Sequence, residues 1–249
     1  MGYTDSTLFT NEPERTLYDR FNCILKSNTQ FFDVLVGYFR TSGFYKLYPA
    51  MQDIERIRVL VGLNVDNKTI DIINQADDEI TLEALSHKEA KEAFSNVVEQ
   101  EFTLSEDTLE IEKGVRKFID WIKSGKIEMR MYAEAPIHAK VYIMRKNMKV
   151  VPDTYGSVIT GSSNFSLAGL QNNLEFNVEL KDSRDVDFAL SEFENLWAKS
   201  VEVKDVYADT IENKTWLKGD ITPYELYIKT LYEFFKEEIN EDKELSIEE

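Results

Sequence analysis

Polar residues between positions 138 and 175 have types and spacing that suit chemistry at a phosphate ester. His138 and Lys140 are separated by one residue, so in a strand their side chains would point to the same side. An imidazole can attack or protonate at a phosphate group, and an ammonium group neutralises charge on the phosphoryl oxygens. The pair therefore predicts a candidate site for phosphoryl chemistry.

Residues 161–164, with the sequence GSSN, follow a predicted strand. This turn can offer the hydroxyl groups of Ser162 and Ser163, the amide of Asn164 and backbone N–H groups to a phosphate. Glu175 begins a later predicted strand, eleven residues after Asn164 (175 − 164 = 11), where a carboxylate could orient a catalytic histidine. Each feature alone is common in proteins without activity, but their order along the chain, each at a strand end, favours a site.

Short apolar runs rich in β-branched and aromatic residues predict the strands that carry these side chains. The predicted strands cover 32–38, 57–63, 127–132, 139–144, 150–160 and 175–180. The alternation of strands with helices predicts an α/β fold. The first two strands are separated by a helix-length segment, so we expect them to pair in parallel.

Helices are predicted between several of these strands from periodicity and capping residues. One begins at Thr41 or Ser42 and ends near 52. A helical stretch follows over about 67–124, in which Ser105 would cap the last helix and Gly125 would follow its end. Asp182 or Ser183 would cap another helix, and a last one is predicted over about 223–238. The apolar face of the helix after Asp182 would comprise Val186, Leu190, Phe193 and Trp197.

The charge of the chain is unevenly distributed. The formal net charge is 29 − 46 = −17, and the tracts 77–112 and 233–249 carry −10 and −6 of it. By contrast, residues 113–149 hold ten basic residues against three acidic ones, a net +7. The total argues against a non-specific nucleic-acid-binding protein, but acidic solvated faces can coexist with a basic surface that meets phosphate.

The composition also limits the compartment and the cofactors. The single cysteine, Cys23, rules out an internal disulfide and a cysteine-rich zinc site, and two histidines argue against a histidine-rich one. No apolar run approaches the ~18–20 residues of a membrane helix, and the N-terminus lacks the layout of a secretory signal. We therefore expect a cytoplasmic protein without membrane attachment, metal or cofactor.

With HAK at 138–140, GSSN at 161–164 and Glu175 after them, the sequence resembles the phospholipase D superfamily. The signature of that superfamily is H-x-K followed by an acid and then G-S-x-N, and the distance from Asn164 to Glu175 is similar to that in its small nucleases. One position departs from the pattern. Where the family commonly has an aspartate, four intervening residues after the lysine, this chain has Arg145, and Asp153 lies too far along to replace it. In the family that aspartate is largely structural, so the change does not by itself exclude activity.

The resemblance implies a mixed sheet flanked by helices and a metal-independent phosphodiesterase. His138 would attack phosphorus and form a covalent phosphohistidine. Lys140 and Asn164 would hold the non-bridging oxygens with help from Ser162, and Glu175 would orient a histidine. The sequence independently favours a metal-free reaction, because it has no carboxylate or His/Cys cluster with metal-ligand spacing.

The expected reaction needs two histidines on opposite sides of one phosphorus, and this chain offers one suitable set. His87 lies in the acidic helical stretch and has no G-S-x-N segment after it, so we interpret it as a surface histidine. A second His138, from another copy of the chain, would protonate the leaving oxygen and later activate water. We therefore expect a two-fold homodimer with the active site at its interface.

Further segments resemble larger DNA-processing proteins. FFDVLVGYFRTSGF (31–44) and IRVLVG (57–62) resemble the start of the phospholipase D-like domain of restriction endonucleases and bacterial Snf2-type helicases. ITPYELYIKTLYEFF (221–235) resembles the junction to the helicase motor. We expect a nuclease domain at 1–200 with a helical insertion at about 67–124, a helical extension at 201–249, DNA as substrate and a helicase motor in the same longer polypeptide. No G-x-x-x-x-G-K-[ST] loop occurs, so this chain alone should not hydrolyse ATP.

Two alternative functions stay open. The first is a module that keeps the fold for nucleic-acid binding or dimerisation after losing activity, which Arg145 and the net charge of −17 would favour. The second is a lipid phosphodiesterase, although the chain lacks the second H-x-K copy expected of a one-chain lipase and has no evident apolar docking helix.

Overall fold

The computed structural model describes residues 7–12, 16–27, 29–62, 91–92, 95–96, 98–99, 109–132, 134–146, 155–214, 227–232 and 234–236. These residues form a single mixed sheet of eight strands. The strands are β1 Leu8–Thr10, β2 Thr29–Val36, β3 Arg56–Gly62, β4 Ile127–Tyr132, β5 Lys140–Lys146, β6 Gly156–Gly161, β7 Phe176–Leu180 and β8 Val201–Glu202. Their order across the sheet is β1-β7-β6-β5-β2-β3-β4-β8. β2, β3 and β4 are parallel to one another, and every other neighbouring pair is antiparallel.

Helices cover both faces of this sheet. They are α1 Leu17–Lys26, α2 Thr41–Leu47, α3 Leu109–Lys123, α4 Ser183–Ala198 and α5 Lys204–Lys214, with a 3₁₀ turn at Tyr48–Ala50 and a π-helical turn at Ala168–Asn172. Alternate residues of β2 supply the two apolar cores: Val34 and Val36 pack with α1, α2, α3 and α5, whereas Leu35 packs with α4. The predicted α/β class, a mixed sheet flanked by helices, is confirmed.

The predicted strands are present, with changes at their ends. The span of β4 matches the prediction, and the parallel pairing of the first two predicted strands is confirmed by the register Phe32↔Ile57. β2 begins at Thr29 and ends at Val36, because the chain bends at Gly37 and leaves the regular ladder. β6 is a strand from Gly156 onward, and residues 150–154 of the predicted strand lie outside the described part of the chain.

The helix after β2 differs from the prediction at both ends. It stops at Leu47 instead of 52, because Pro49 has no N–H to continue the helix and the chain tightens into a 3₁₀ turn. The expected cap by Thr41 or Ser42 is wrong, since Arg40 is the N-cap residue and makes no side-chain cap bond. Ser42 has another use: its Oγ accepts a hydrogen bond from the backbone N–H of Leu167 (3.2 Å).

The later helices agree better with the sequence. α3 ends at Lys123, and Gly125 follows with a φ of +78°, as predicted for a C-terminal glycine. Asp182 caps α4, accepting from the N–H of Arg184 at 2.9 Å. Of the predicted apolar face of α4, Val186, Phe193 and Trp197 are buried and Leu190 is partly buried. Residues 227–232 and 234–236 are helical, inside the predicted span 223–238. Ser105 and residues 67–90 lie outside the described residues.

Two parts of the fold differ from the expected organisation. β1 and α1 were not predicted, although α1 buries Leu17, Phe21 and Leu25 at a helical spacing of four. The sheet and core also continue past the expected boundary at 200. β8 pairs with β4, and Tyr207 and Ile211 of α5 are buried in the larger core. Among the helices of the described residues, none has the length and apolar character needed to cross a membrane.

Candidate active site

Four strand ends meet at one edge of the sheet. β5 runs antiparallel to β2 with Val36 opposite Lys140, and antiparallel to β6 with Val141 opposite Thr160. β6 in turn places Gly161 opposite Asn177 of β7. The end of β2, the start of β5, the end of β6 and the start of β7 therefore share this edge. The fold brings together the HAK segment, the GSSN turn and Glu175, as the sequence predicted from strand ends alone.

His138 and Lys140 lie on either side of Ala139, which is hydrogen-bonded to the residue that follows β2. The backbone N–H of Gly37 donates to the carbonyl oxygen of Ala139 (3.1 Å). The Lys140 ammonium group donates to the carbonyl oxygen of His138 (3.0 Å), which holds it next to the histidine. The His138 side chain is exposed, and within the described residues its imidazole makes no hydrogen bond. An open imidazole beside an ammonium group can approach an anionic ligand from solvent.

The two serines of the GSSN turn have different surroundings. Ser163 is 0% exposed, its Oγ accepts from Asn177 Nδ2 (3.0 Å), and its carbonyl oxygen accepts from the Tyr142 hydroxyl (2.7 Å). Burial raises the pKa of the Tyr142 phenol and the nearby Glu175 carboxylate raises it further, so this hydroxyl remains a donor. The Ser163 side chain thus anchors the turn from beneath, which does not support its predicted contact with substrate.

Ser162, by contrast, is exposed and links the turn to Glu175. Its Oγ donates to the Glu175 carboxylate and accepts from the backbone N–H of Phe176 (3.1 Å). Asn173 Nδ2 also donates to Glu175 at 3.3 Å. No hydrogen bond or ion pair joins Glu175 to His138. Within one chain, therefore, Glu175 is held at the GSSN turn and does not orient the histidine.

Asn164 is positioned through its backbone by a close-packed glycine. The Asn164 carbonyl oxygen accepts from the N–H of Ser166 (2.9 Å), and a Cβ added at Gly169 would overlap that same oxygen. Gly169 is fixed in turn, because its carbonyl accepts from Asn11 Nδ2 (2.7 Å) and Asn11 accepts from the N–H of Leu17 (2.8 Å). In the Asn164 amide, Oδ1 is buried without a hydrogen-bond partner among the described residues, which leaves Nδ2 as the atom that can donate to a ligand.

Arg145, the departure from the family pattern, is part of a buried ion network well away from His138. Its guanidinium contacts Asp33 Oδ2 at 2.8 Å, and Arg58 contacts Asp33 Oδ1 at 2.6 Å and Glu194 at 2.8 Å. Burial alone would lower the pKa of Arg58, but the bonds to Asp33 and Glu194 outweigh this effect and raise it. His138 and Arg145 are seven steps apart along the chain, which corresponds to about 23 Å if the chain is extended throughout. The network therefore has its buried carboxylate on β2, at Asp33, and not at position 145. Position 145 holds part of this structural network.

Sequence reasoning missed the residues that support the turn. Asn177 lies two positions after Glu175 in the predicted strand 175–180, and that spacing could have indicated a shared face, although the observed strand begins at Phe176. Asn11 and Gly169 gave no such signal, because their contacts join positions 158 residues apart. His87 and Asp153 lie outside the described residues. In the described part of the chain, no three His, Cys, Asp or Glu side chains are grouped closely enough to hold a metal ion.

Residues 23–197 match the family model described as "Cardiolipin synthase, PLD-like domain". The match covers 175 of the 249 residues (197 − 23 + 1 = 175) and includes the whole candidate site. The chain belongs to the phospholipase D-like domain family. This membership confirms the resemblance that the HAK and GSSN segments indicated, whereas the helicase or restriction-enzyme context stays a prediction.

Several solved structures are similar to this member of the family at low identity. Nuc from Salmonella typhimurium, a phospholipase D family member, is 15% identical over 78% of this chain and 95% of its own, with a TM-score of 0.45. NucT from Helicobacter pylori is 12% identical over 75% and 90%, with a TM-score of 0.41. Phosphatidylserine synthase from Haemophilus influenzae Rd KW20 is 14% identical over 96% and 46%, with a TM-score of 0.49. No curated protein sequence matches the chain. These likenesses are too distant to assign a substrate.

Proposed function

We propose that the chain is a metal-independent phosphodiesterase that cleaves DNA through a covalent phosphohistidine at His138. The observation that carries this proposal is the sheet edge itself. There, an exposed imidazole without a hydrogen-bond partner in the described chain lies beside the Lys140 ammonium group and close to the GSSN turn. Membership of the phospholipase D-like family supports phosphodiester chemistry at such an edge.

The reaction would proceed in two displacements. A ring nitrogen of His138 attacks phosphorus, the bond from phosphorus to the leaving oxygen breaks, and that oxygen takes a proton from the histidine of a second copy. The same second histidine then removes a proton from water, which attacks phosphorus and releases His138. Lys140 and Asn164 Nδ2 would donate to the non-bridging oxygens, where negative charge accumulates in each transition state.

A homodimer would supply the second histidine. Because Glu175 contacts the GSSN turn and not His138 of its own chain, its carboxylate is available to orient the histidine of the second copy. The neighbours of Glu175 are unusually exposed for apolar residues, Leu174 at 81% and Phe176 at 59%. An isologous contact around the site would cover them, which supports an interface at this edge.

We further propose that the chain acts as the nuclease domain of a larger helicase or restriction protein in the cytoplasm. The helical residues 227–232 and 234–236 belong to the segment that resembles the junction to a helicase motor. Their exposed apolar side chains include Tyr227, Tyr232 and Phe234. A following domain packed on this segment would cover these side chains.

The alternative, a module without activity, was supported by two observations, and the structure removes the argument from the first, Arg145. The positive charge of Arg145 is paired with Asp33 in the buried network. The replacement of an acid by an arginine at this position therefore gives no reason to expect an inactive site. The remaining observation is the net charge of −17, which opposes DNA binding in general. Cleavage assays separate this alternative from the enzyme directly.

The decisive experiment incubates the purified chain with supercoiled plasmid in EDTA. We expect nicking that is lost in His138→Ala and Lys140→Ala and retained in His87→Ala, the matched histidine control. Denaturing gels should show labelled DNA attached to the wild-type chain and to no His138 variant. Light scattering should give about twice the 29.0 kDa chain mass.

Three results would overturn the proposal. A strict requirement for Mg²⁺ would contradict the phosphohistidine mechanism, and DNA binding without cleavage by the wild type would favour the inactive module. Cleavage of phospholipid vesicles without cleavage of DNA would make the chain a lipid phosphodiesterase.

A further inference from the structure

Residues 37–40 run from the end of β2 across the candidate active site. At one end of this segment, Gly37 donates its N–H to Ala139, in the middle of the HAK segment. At the other end, Phe39 forms a parallel bridge with Phe165, directly after the GSSN turn. The segment therefore connects the two motifs through backbone pairing, and any side chain that it exposes lies at the mouth of the site.

Tyr38 follows a residue that pairs with the centre of the HAK segment. The β2–β5 ladder ends with Val36 opposite Lys140, and beyond it the N–H of Gly37 donates to the carbonyl oxygen of Ala139. Tyr38 and His138 are each covalently bonded to one of these two hydrogen-bonded residues. Tyr38 therefore lies at the same end of the sheet as the proposed nucleophile.

The residue next to Tyr38 turns inward and leaves the tyrosine in solvent. Phe39 stacks on Phe165 at 5.0 Å and on Phe118 at 5.7 Å between ring centroids, so it anchors the segment to the core. Tyr38 remains 48% exposed. An aromatic ring that is held on a rigid segment beside an active site offers a flat apolar face to a ligand with little loss of conformational entropy.

Arg40 is the second exposed residue of the segment. Its backbone is extended (φ −124°, ψ 137°), and with one residue between them Tyr38 and Arg40 are placed to face the same side. The Arg40 N–H donates to the carbonyl oxygen of Phe165 (2.9 Å), but its guanidinium makes no ion pair with any described residue. Arg58 and Arg145, in contrast, both pair with Asp33, so among the described residues their guanidinium groups are engaged where that of Arg40 is not.

We propose that Tyr38 and Arg40 form a nucleotide subsite beside His138, in which the Tyr38 ring stacks on a base and the Arg40 guanidinium binds an adjacent phosphate. The proposal rests on the proposed function and deepens it by naming the substrate class. A base can stack on a protein side chain only when it is free of its own stack, so the preferred substrate is single-stranded or locally unpaired DNA. A planar guanidinium suits the phosphate oxygens next to such a base.

Binding of a fluorescein-labelled single-stranded oligonucleotide, measured by anisotropy in EDTA, tests this subsite. The His138→Ala chain serves as the background so that the probe is not cut. We expect Tyr38→Ala to weaken single-strand binding about tenfold, Tyr38→Trp to preserve it, and neither to change duplex binding more than about twofold. Arg40→Ala should weaken binding and reduce the salt dependence by about one phosphate contact. Phe188→Ala, which removes an exposed aromatic ring from α4, is the matched control.

An oligonucleotide with one abasic position sharpens the test. Moving the abasic position along the strand should identify one position at which Tyr38→Ala has no further effect, next to the phosphate that the wild-type chain cleaves. The proposal is overturned if Tyr38→Ala behaves like Phe188→Ala while the wild type still cleaves DNA, or if Tyr38→Ala changes only the dimer mass. Absence of any DNA binding or cleavage by the wild type would instead refute the proposed function, and the subsite with it.

Discussion

The strand β5 carries two sets of charged residues that differ in what surrounds them. At its start, Lys140 is partly exposed and His138, two residues before it, is exposed, and within the described part of the chain the lysine donates to a backbone carbonyl. Near its end, Arg145 joins Asp33 and Arg58 in the interior of the sheet, where Asp33 is 1% exposed. The first set keeps its polar atoms available to a ligand, whereas the second uses them on one another.

Under the proposed function, this difference would make one departure from the family pattern tolerable. A buried charge is costly without a partner, so what the structure requires at Arg145 is a complementary group, which Asp33 on the neighbouring strand provides. The charge at position 145 can therefore be of either sign, provided that the partner carries the opposite charge. At the sheet edge the partner would be the substrate phosphate, whose charge is fixed, and so the proposed function would leave His138 and Lys140 no equivalent freedom.

The largest effect on stability should come from removing the shared carboxylate of the buried network. Asp33→Ala leaves Arg145 unpaired and deprives Arg58 of one partner, so we expect it to lower the free energy of unfolding by about 3–5 kcal/mol. Urea denaturation measures the loss. The double variant Asp33→Leu/Arg145→Met replaces the pair by apolar side chains and should recover more than half of it. Equal losses in the single and double variants would contradict the idea that the unpaired cation causes the damage.

The sequence predicted local features better than pairings between strands. The span of β4, the cap at Asp182 and the positive φ of Gly125 all follow from residues close together in the chain. The edge that gathers the HAK segment and the GSSN turn could also be predicted, because each motif adjoins a strand end. The pairing of Asp33 with Arg145 could not, since it depends on the register between strands 112 residues apart.

The turn itself shows the same limit at a smaller scale. Ser162 and Ser163 are adjacent and of the same type, so the sequence does not distinguish them. The direction in which the turn leaves β6 decides which of the two is buried. The burial of α5 against the core was missed for a similar reason, because no boundary signal separates a packed helix from a linker at residue 200.

A second substitution tests how strongly the open site depends on close packing behind it. Gly169→Ala forces a methyl group against the carbonyl oxygen of Asn164, so we expect a loss of about 1–3 kcal/mol in stability. Displacement of Asn164 by about 1 Å should reduce DNA cleavage roughly 100-fold. Gly125→Ala is the matched control, because Gly125 has a φ of +78° and open space around it. If both variants keep full cleavage, Gly169 does not position the site.

The two adjacent serines of the GSSN turn test whether buried polar groups contribute more to stability than exposed ones, with smaller expected effects. Ser163→Ala removes the acceptor of the buried Asn177 amide and should cost about 1–2 kcal/mol in thermal or urea denaturation. Ser162→Ala removes an exposed hydroxyl and should cost less than about 1 kcal/mol, while altering cleavage through the Glu175 contact. The reverse order of stability would mean that exposure does not separate the two roles.

The smallest effect on stability is expected from the Asp182–Arg184 ion pair, which joins the same two side-chain types as the Asp33 network but is exposed. Asp182 caps α4 and bonds the backbone N–H and the guanidinium of Arg184, and these bonds lower the pKa of Asp182 to about 2. Because its pKa is lower in the folded chain than the ordinary value of 3.8, its contribution is complete above that value and is lost as the pH falls towards 2. Asn is also a good N-cap, so Asp182→Asn removes mainly the charge. The urea midpoints of wild type and Asp182→Asn should therefore differ slightly above pH 5 and converge towards pH 2. A difference that stays constant down to pH 2 would show that the capping geometry, and not the charge, stabilises this helix.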